Sequence, residues 1–154
     1  MNVKELLKEC QKRRCAVLAT NFYNFETLTA VMRAAQRTQA PVLLQLTRSS
    51  IDYMGLKQAV AMGRQAIADY GVQGWIHLDH GSSGIPHSQV REAIANGIVK
   101  VNLATEIKDN FMRALKGVLL ESNEIDLRKV FPKAVEPVVE LLCEKYRMVG
   151  SAEK

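Results

Sequence analysis

The chain has 154 residues, of which 47% are hydrophobic and 24% are charged, and its net charge is +5. That length suits one globular domain, and this apolar content excludes a disordered chain. The sequence contains no apolar run near the ~20 residues that a membrane-spanning helix requires, and its first residues lack the apolar core of a secretory signal. We therefore expect a cytoplasmic protein with no membrane partner.

The cysteines and the basic residues indicate no specialised partner. Cys10, Cys15 and Cys143 are an odd number without metal-ligand spacing, which is typical of reduced thiols. The densest basic run, 12–14, ends a predicted helix, where cations favour the helix dipole. No aromatic residues interleave with the basic ones to form a stacking platform for bases. We therefore expect no nucleic-acid partner.

Apolar spacing predicts alternating strands and helices, with a further helix at each end of the chain. In chain order the pattern predicts a helix over 3–13, a strand at Cys15–Thr20, a turn at Phe22–Phe25, a helix through Leu28–Ala35, a strand at Val42–Leu46, a loop at Arg48–Ser50, a helix at Leu56–Tyr70, a strand at Trp75–Leu78, a polar loop at Asp79–Gly84, a helix at Pro86–Asn96, a strand at Ile98–Val101, a helix over 105–120, a polar connection over 121–127 and a helix over 128–147. Strands that alternate with helices and are apolar throughout predict an α/β fold with a parallel sheet buried on both faces.

The reactive groups of parallel α/β folds lie at the carboxyl ends of the strands. Asp79 and His80 follow the third predicted strand. The first is a possible acid or base, and the second is a possible metal ligand or base. The same pair also suits a strand-end cap that bonds only the backbone. His77 is a poor partner of His80 for one metal, because residues three apart in a strand point to opposite faces.

Two strand-to-helix turns carry small polar residues that could share one phosphate group. Gly81, Ser83 and Gly84 precede one predicted helix, and Asn102 and Thr105 precede the next. Backbone amides at a helix N-terminus bind anions, because both the donors and the dipole face the ligand. Ser and Thr are also ordinary helix caps, so each turn alone is weak evidence.

Asn21 and Asn24 follow the first predicted strand. Either side chain could bond a substrate hydroxyl, or it could form an Asx turn with its own backbone. The sequence leaves both interpretations open.

A series of motifs runs the length of the chain. They are Asn21-Phe-Tyr-Asn-Phe-Glu26, Ala34-Ala35, Ala40-Pro-Val-Leu-Leu-Gln45, His77-Leu-Asp-His-Gly81, Ser83-Gly-Ile-Pro86, Gly97-Ile-Val-Lys-Val-Asn-Leu-Ala-Thr105 and Gly150-Ser-Ala152. In this order they resemble the class II fructose- and tagatose-bisphosphate aldolases. The resemblance implies a zinc-dependent (β/α)8 TIM barrel that reversibly cleaves fructose- or tagatose-bisphosphate to dihydroxyacetone phosphate and an aldehyde.

The resemblance also assigns roles to individual residues. Asp79 would be the catalytic acid or base that acts on the substrate hydroxyl or aldehyde oxygen, and His80 would be a ligand of Zn²⁺. The residues that would line the site or hold the phosphate and hydroxyl groups of dihydroxyacetone phosphate are Asn21, Asn24, Gly81, Ser83, Gly84, Asn102 and Thr105.

The motifs further imply that the middle of the barrel is missing. In the family, a Leu-Asp-His-Gly motif ends the third strand and a separate His-Gly-x-Ser-Gly-Ile-Pro motif ends the seventh. Here the segment His80–Pro86 reads as both at once, which implies an internal deletion at about 80–84. We therefore expect a single incomplete TIM-barrel domain over 1–154, with about four parallel strands that correspond to family strands 1–3 and 8.

A shortened barrel has consequences for activity and for partners. A catalytic zinc site needs three protein ligands, and this chain offers one, so the resemblance implies impaired activity. The alternative is a non-catalytic remnant that binds a sugar phosphate or a partner. Four strands cannot close the barrel and would leave open edges, so we expect a homo-oligomer or association with a fuller aldolase chain.

Overall fold

The computed structural model describes residues 2–79, residues 99–152 and four positions between these ranges, which are 88, 91, 94 and 95. In chain order its elements are α1 (Val3–Arg13), β1 (Val17–Asn21), α2 (Phe25–Arg37), β2 (Val42–Leu46), α3 (Arg48–Met54), α4 (Leu56–Tyr70), β3 (Gly74–Leu78), β4 (Lys100–Leu103), α5 (Thr105–Glu121) and α6 (Leu127–Met148). The four intermediate positions are helical, as predicted for 86–96. Within the described ranges, none of the helices has the length and apolar character that crossing a membrane requires.

Two local predictions were wrong. Residues 48–50, expected to be a loop, begin helix α3, because the Thr47 hydroxyl caps it by accepting a hydrogen bond from the Ser50 amide at 3.2 Å. The last strand ends at Leu103, two residues beyond the predicted end at Val101. The pairing of β4 with β1 continues past the apolar residues into the polar Asn102. Backbone pairing, and not hydrophobicity, therefore sets where this strand ends.

The four strands form one parallel sheet in the order β3-β2-β1-β4. The last strand therefore lies beside the first, although it follows the third in the sequence. In a closed parallel barrel the first and last strands are neighbours. The observed strand order is therefore that of one continuous part of such a barrel. The structure confirms the predicted α/β fold with four parallel strands.

The two faces of the sheet pack against different helices. One face of β1 and β2 packs against α2 and α6, in a large buried cluster that includes Leu18, Leu44 and Leu142. The other face packs against α1, which precedes β1 and closes the interior of the curved sheet at the amino ends of the strands. That smaller cluster consists of Leu6, Cys10, Cys15, Val17, Ala19 and Leu43.

Helices α2 and α6 form the main helix–helix contact of the outer layer. Their facing residues, such as Val31 and Leu142, are fully buried. On the solvent side, Arg37 Nη1 lies 2.7 Å from Glu136 Oε1 and 2.8 Å from Glu140 Oε1. Such exposed ion pairs contribute about 0–1 kcal/mol each, so apolar burial dominates this contact.

Replacement of Leu142 by Ala should lower the free energy of unfolding by about 2–5 kcal/mol, because it leaves a cavity between α2, α6 and the sheet. Leu120→Ala in α5 is the matched control, since Leu120 is 87% exposed, and it should change the free energy by less than about 0.5 kcal/mol. Urea unfolding followed by circular dichroism measures both. Equal losses for the two variants would contradict the assigned core.

Candidate functional site

A row of polar side chains crosses the inner face of the sheet near the carboxyl ends of the strands. Asn21 of β1 pairs in register with Gln45 of β2, and Gln45 pairs with His77 of β3. Alternate residues of a strand share a face. Ala19 and Leu43, two positions earlier, pack in the cluster with α1. Asn21, Gln45 and His77 therefore face the same interior as that cluster.

Asp79 meets Asn102 across this interior, although the two residues belong to opposite edges of the sheet. The amide of Asp79 donates to the Leu46 carbonyl at 3.0 Å, which holds Asp79 directly after β3. Asn102 lies opposite Ala19 in the β1–β4 register, and its Nδ2 donates to Asp79 Oδ1 at 3.3 Å. The sheet is therefore curved enough for its edge strands to touch through inward side chains. Two of the predicted site residues are brought together in this way.

Several polar atoms of this interior are buried without a hydrogen-bond partner among the described residues. One is Asp79 Oδ2, and the others include both side-chain amide atoms of Asn21 and of Gln45, two fully buried residues. An unpartnered buried polar group costs about 1–3 kcal/mol, and native proteins keep few of them, often at functional sites. These atoms are available to bond the hydroxyl, carbonyl or phosphate oxygens of a ligand.

Gln45 is the site residue that the sequence interpretation did not single out. It lies in the strand Val42–Leu46, which was expected to form buried core throughout. One signal was present in the sequence, because an amide inside an apolar strand is costly unless it finds a polar partner. Its position two residues after Leu43 places it on the inner face and not against the helices.

Asn24 is the N-cap of helix α2, so its side chain bonds the nearby backbone rather than pointing freely into the interior. Its Oδ1 accepts a hydrogen bond from the Thr27 amide at 2.9 Å. In return, Thr27 Oγ1 accepts hydrogen bonds from the amides of Tyr23 and Asn24 at 2.9 and 3.1 Å. This capping box fixes the loop after β1 and positions the neighbouring Tyr23. Asn21, in contrast, keeps both side-chain amide atoms free of partners among the described residues.

A cleft of about 320 Å³ opens beside Asn24, between the loop after β1 and helices α3 and α5. Lys108 Nζ lies 5.2 Å from the centre of the Tyr23 ring, in a cation–π contact. Burial raises the pKa of the Tyr23 phenol to about 12, and the negative charge of Asp79 adds to this rise. The charge of Asp79 in the interior therefore acts on Tyr23 in the cleft. The ammonium group of Lys108 and the hydroxyl groups of the cleft suit an anion. Its lining residues are Tyr23, Asn24, Ser49, Ser50, Tyr53 and Lys108.

Of the remaining predicted site residues, Thr105 lies in the described part of the chain. Thr105 is the first residue of α5 and its side chain is exposed. His80, Gly81, Ser83 and Gly84 lie outside the described residues.

The described residues do not by themselves fit a zinc ion. A catalytic zinc site uses three protein ligands. In the ranges that the structure describes, no group of three or more His, Cys, Asp or Glu side chains is arranged to hold a metal. Asp79 has its Oδ1 engaged with Asn102. The described residues therefore do not supply the three ligands that a catalytic zinc ion needs.

The sequence profile of a family described as "Fructose-bisphosphate aldolase class-II" matches this chain twice, over residues 1–83 and over residues 80–154. The two matches together cover the whole chain, and they share residues 80–83.

Curated aldolases match parts of the chain. The fructose-bisphosphate aldolase of Helicobacter pylori (strain ATCC 700392 / 26695) is 35% identical over 80 residues, which are 51% of this chain and 26% of that protein. The 6-phospho-5-dehydro-2-deoxy-D-gluconate aldolase of Bacillus subtilis is 33% identical over 104 residues, which are 66% of this chain and 35% of that protein. The chain therefore spans about a quarter to a third of the length of these relatives.

Solved aldolase structures share the fold. The YdjI aldolase from Escherichia coli K12 has a TM-score of 0.83 at 14% identity, covering 99% of this chain and 98% of that chain. The fructose-bisphosphate aldolase from Campylobacter jejuni has a TM-score of 0.81 at 10% identity, covering 97% and 94%. At these identities the likeness shows the fold alone. The four-stranded sheet is a partial TIM barrel.

Replacement of Gln45 by Met should raise the free energy of unfolding by about 1–3 kcal/mol, because it removes two unpartnered amide atoms and keeps a side chain of similar length. Gln11→Met, at an exposed position of α1, is the matched control and should stay within about 0.5 kcal/mol of the parent chain. Urea unfolding compares the three proteins. A less stable Gln45→Met variant would mean that the amide is satisfied in the folded chain.

Replacement of Asp79 by Asn should lower the pKa of the Tyr23 phenol from about 12, because the negative carboxylate favours the neutral phenol. The pKa should remain above its usual value of 10.0, since burial is the larger cause. Phenolate absorbance near 295 nm reports the titration, with the Tyr23→Phe variant of each protein subtracted to remove the other tyrosines. An unchanged midpoint would show that the Asp79 charge does not act on Tyr23.

Proposed function

Because this chain belongs to the class II fructose-bisphosphate aldolase family, we propose that it binds a phosphorylated ketose, or its dihydroxyacetone phosphate half, and cleaves the ketose with impaired turnover. The observation that carries the proposal is the Asp79–Asn102 contact beside the free amides of Asn21 and Gln45. These groups supply one carboxylate oxygen that can accept a proton and amides that can both donate to and accept from substrate oxygens.

Asp79 is the proposed acid/base. In the cleavage direction its Oδ2 accepts the proton of the hydroxyl on the carbon that becomes the aldehyde, and the carbon–carbon bond to the triose half breaks. The electron pair of that bond leaves an enediolate on the triose half, which takes up a proton to give dihydroxyacetone phosphate. Asn102 supports this role, because its hydrogen bond to Oδ1 fixes the carboxylate and leaves Oδ2 free for the proton.

The buried amides are proposed to hold the triose half. Asn21 and Gln45 lie side by side in register on the inner face, and both are fully buried. Donors in a water-free interior stabilise developing negative charge on oxygen more strongly than water-exposed donors do. Gly81, Ser83, Gly84, Asn102 and Thr105 are proposed to bind the phosphate and the adjacent hydroxyls, on the basis of the family motifs alone.

Zinc is proposed as the family's metal, with His80 as one ligand. When bound, such a metal would polarise the ketone as a Lewis acid. The described part of the chain contains no three-ligand group, so we expect turnover far below that of a complete barrel. The same observation favours a second candidate function, a non-catalytic protein that binds a sugar phosphate or a partner protein.

We also propose that the chain lacks the middle of the barrel, with a junction at about 80–84. Two observations support this: the family matches overlap at 80–83, and β4 pairs with β1 on the edge away from β3. We further propose a cytoplasmic homo-oligomer, or association with a fuller aldolase chain, because both edge strands of the sheet are unpaired on their outer side within the described residues.

Dihydroxyacetone phosphate should raise the melting temperature of the chain, and a coupled assay should detect slow release of triose phosphate from fructose- or tagatose-bisphosphate. Asp79→Asn should reduce that release by about 10²–10⁴-fold, which is the usual contribution of a general acid/base, while the ligand still stabilises the variant. Asp69→Asn, at an exposed position of α4, is the matched control and should behave like the parent chain.

The same measurements separate the two candidate functions. Zinc at one ion per chain together with turnover supports the enzyme. Stabilisation by the ligand without zinc or turnover supports the binding protein. Neither stabilisation nor turnover would contradict both the enzyme and the sugar-phosphate-binding protein.

A further inference from the structure

Each edge strand of the described sheet is hydrogen-bonded on one side only. β4 pairs with β1, and the Val17 amide donates to the Val99 carbonyl at 3.0 Å. Parallel ladders alternate, so that every second residue directs both its N–H and its C=O to the same neighbour. Val99 and Val101 therefore bond β1, while Lys100 and Asn102 direct their backbone groups away from the sheet.

The same alternation applies at the other edge. The Asp79 amide donates to the Leu46 carbonyl at 3.0 Å, and the Val42 amide donates to the Gln73 carbonyl at 3.0 Å. The odd-numbered residues of β3 therefore bond β2. The even-numbered ones, such as Ile76, direct their backbone groups outward.

Burial decreases from the centre of the sheet to these edges. Every residue of β1 and β2 is buried. Trp75 and Ile76 of β3 and Val101 of β4 are only half-buried. Parallel sheets are normally covered throughout, and an open apolar edge is a template for pairing with another strand.

We propose that a second copy of this chain covers both edges, so that two four-stranded sheets form one eight-stranded parallel barrel; this names the partner of the site proposed above and rests on that proposal. Among the residues that the structure describes, each chain offers one unpaired β3 edge and one unpaired β4 edge. A two-fold axis along the barrel pairs β4 of each copy with β3 of the other and leaves no edge open. Eight strands enclose an interior just wide enough for side chains to fill.

The geometry of barrels also fixes the register of this pairing. In an eight-stranded TIM barrel, a row followed once around the barrel returns about eight residues further along its strand, which is the shear. The two contacts between the copies share this shift, so each contact displaces β4 of one copy by about four residues along β3 of the other. Within the sheet, Trp75, Leu43, Ala19 and Asn102 lie in one row. An offset of about four moves Asn102 opposite the partner's Asp79. The opposite sign of offset would place it at position 71, which lies outside β3.

This register is consistent with parallel pairing and brings a residue of the partner to Asp79. Lys100 then lies opposite the partner's His77, and both side chains face the interior. Lys100 directs its backbone groups outward while His77 bonds its own β2, which is the alternation that a parallel pair requires. The same register places the partner's Asn102 beside Asp79 on the neighbouring strand, whereas the chain's own Asn102 meets Asp79 from across the interior. The second copy thus contributes a residue to each site.

Size-exclusion chromatography with light scattering on the full chain is the first test. We expect a dimer of twice 17.2 kDa. Lys100→Pro should shift the protein towards monomer, because proline removes an outward N–H of β4 without removing a bond to β1. Lys100→Ala is the matched control, which removes the same side chain, keeps the N–H and should remain dimeric.

Cross-linking tests the register and does not depend on the proline variant folding. The double variant His77→Cys, Lys100→Cys should form disulfide-linked dimers on a non-reducing gel when diamide takes up the two electrons and two protons of each thiol pair. Each single variant should give no such band, because the two copies of either position lie on opposite sides of the barrel.

Two outcomes would overturn the proposal. One is a monodisperse monomer of the parent chain, and the other is a dimer that Lys100→Pro leaves intact and the cysteine pair fails to cross-link. Asp79→Asn separates this test from the test of function. We expect this variant to remain a dimer even if it loses turnover, so a loss of turnover would not count against the dimer.

Discussion

The strict alternation of side chains along a curved parallel sheet is the constraint on which the other features depend. On β1, the residues at even positions pack into the helices and those at odd positions face the interior, as Leu18 and Ala19 illustrate. Because β1 is in register with both of its neighbours, the same alternation carries across the sheet, so that Leu43 of β2 and Asn102 of β4 lie on the interior face beside Ala19. A shift of one residue in any pairing would turn a site residue into the helical core. The position of Asn102 near Asp79 is therefore a consequence of register as much as of side-chain chemistry.

Much of the fold could be predicted from the sequence, because the strands are apolar and the helices have clear stripes. The helices α1, α4 and α6 lie within a residue or so of their predicted bounds. Apolarity could not locate the end of β4, since that strand extends through the polar Asn102 to complete its pairing with β1. The start of α3 was missed for a related reason: three polar residues were interpreted as a loop, although Thr47 before them is a strong cap.

The candidate site was predicted unevenly, because sequence shows which residues follow a strand but not how far the sheet curves. Asp79 and Asn102 were each expected at a carboxyl end, and only the curvature brings them within hydrogen-bond distance. Gln45 went unnoticed inside an apolar strand. It shares with Asn21 a setting that destabilises the folded chain unless a ligand is bound. This trade of stability for polar groups in the interior is common at functional sites.

The position of α1 has a consequence for how molecules would move through the site. Leu6 and Cys10 pack against Val17 and Leu43, so that the amino end of the interior has an apolar floor. In the described part of the chain, α1 closes the amino end of the interior, and Asp79 and the neighbouring cleft lie towards the other end. If the proposed cleavage takes place here, its two products cannot pass the amino end that α1 closes, so both leave from the end that carries Asp79. The fragment nearer that end therefore departs first, and the one held deeper, against Asn21 and Gln45, waits behind it.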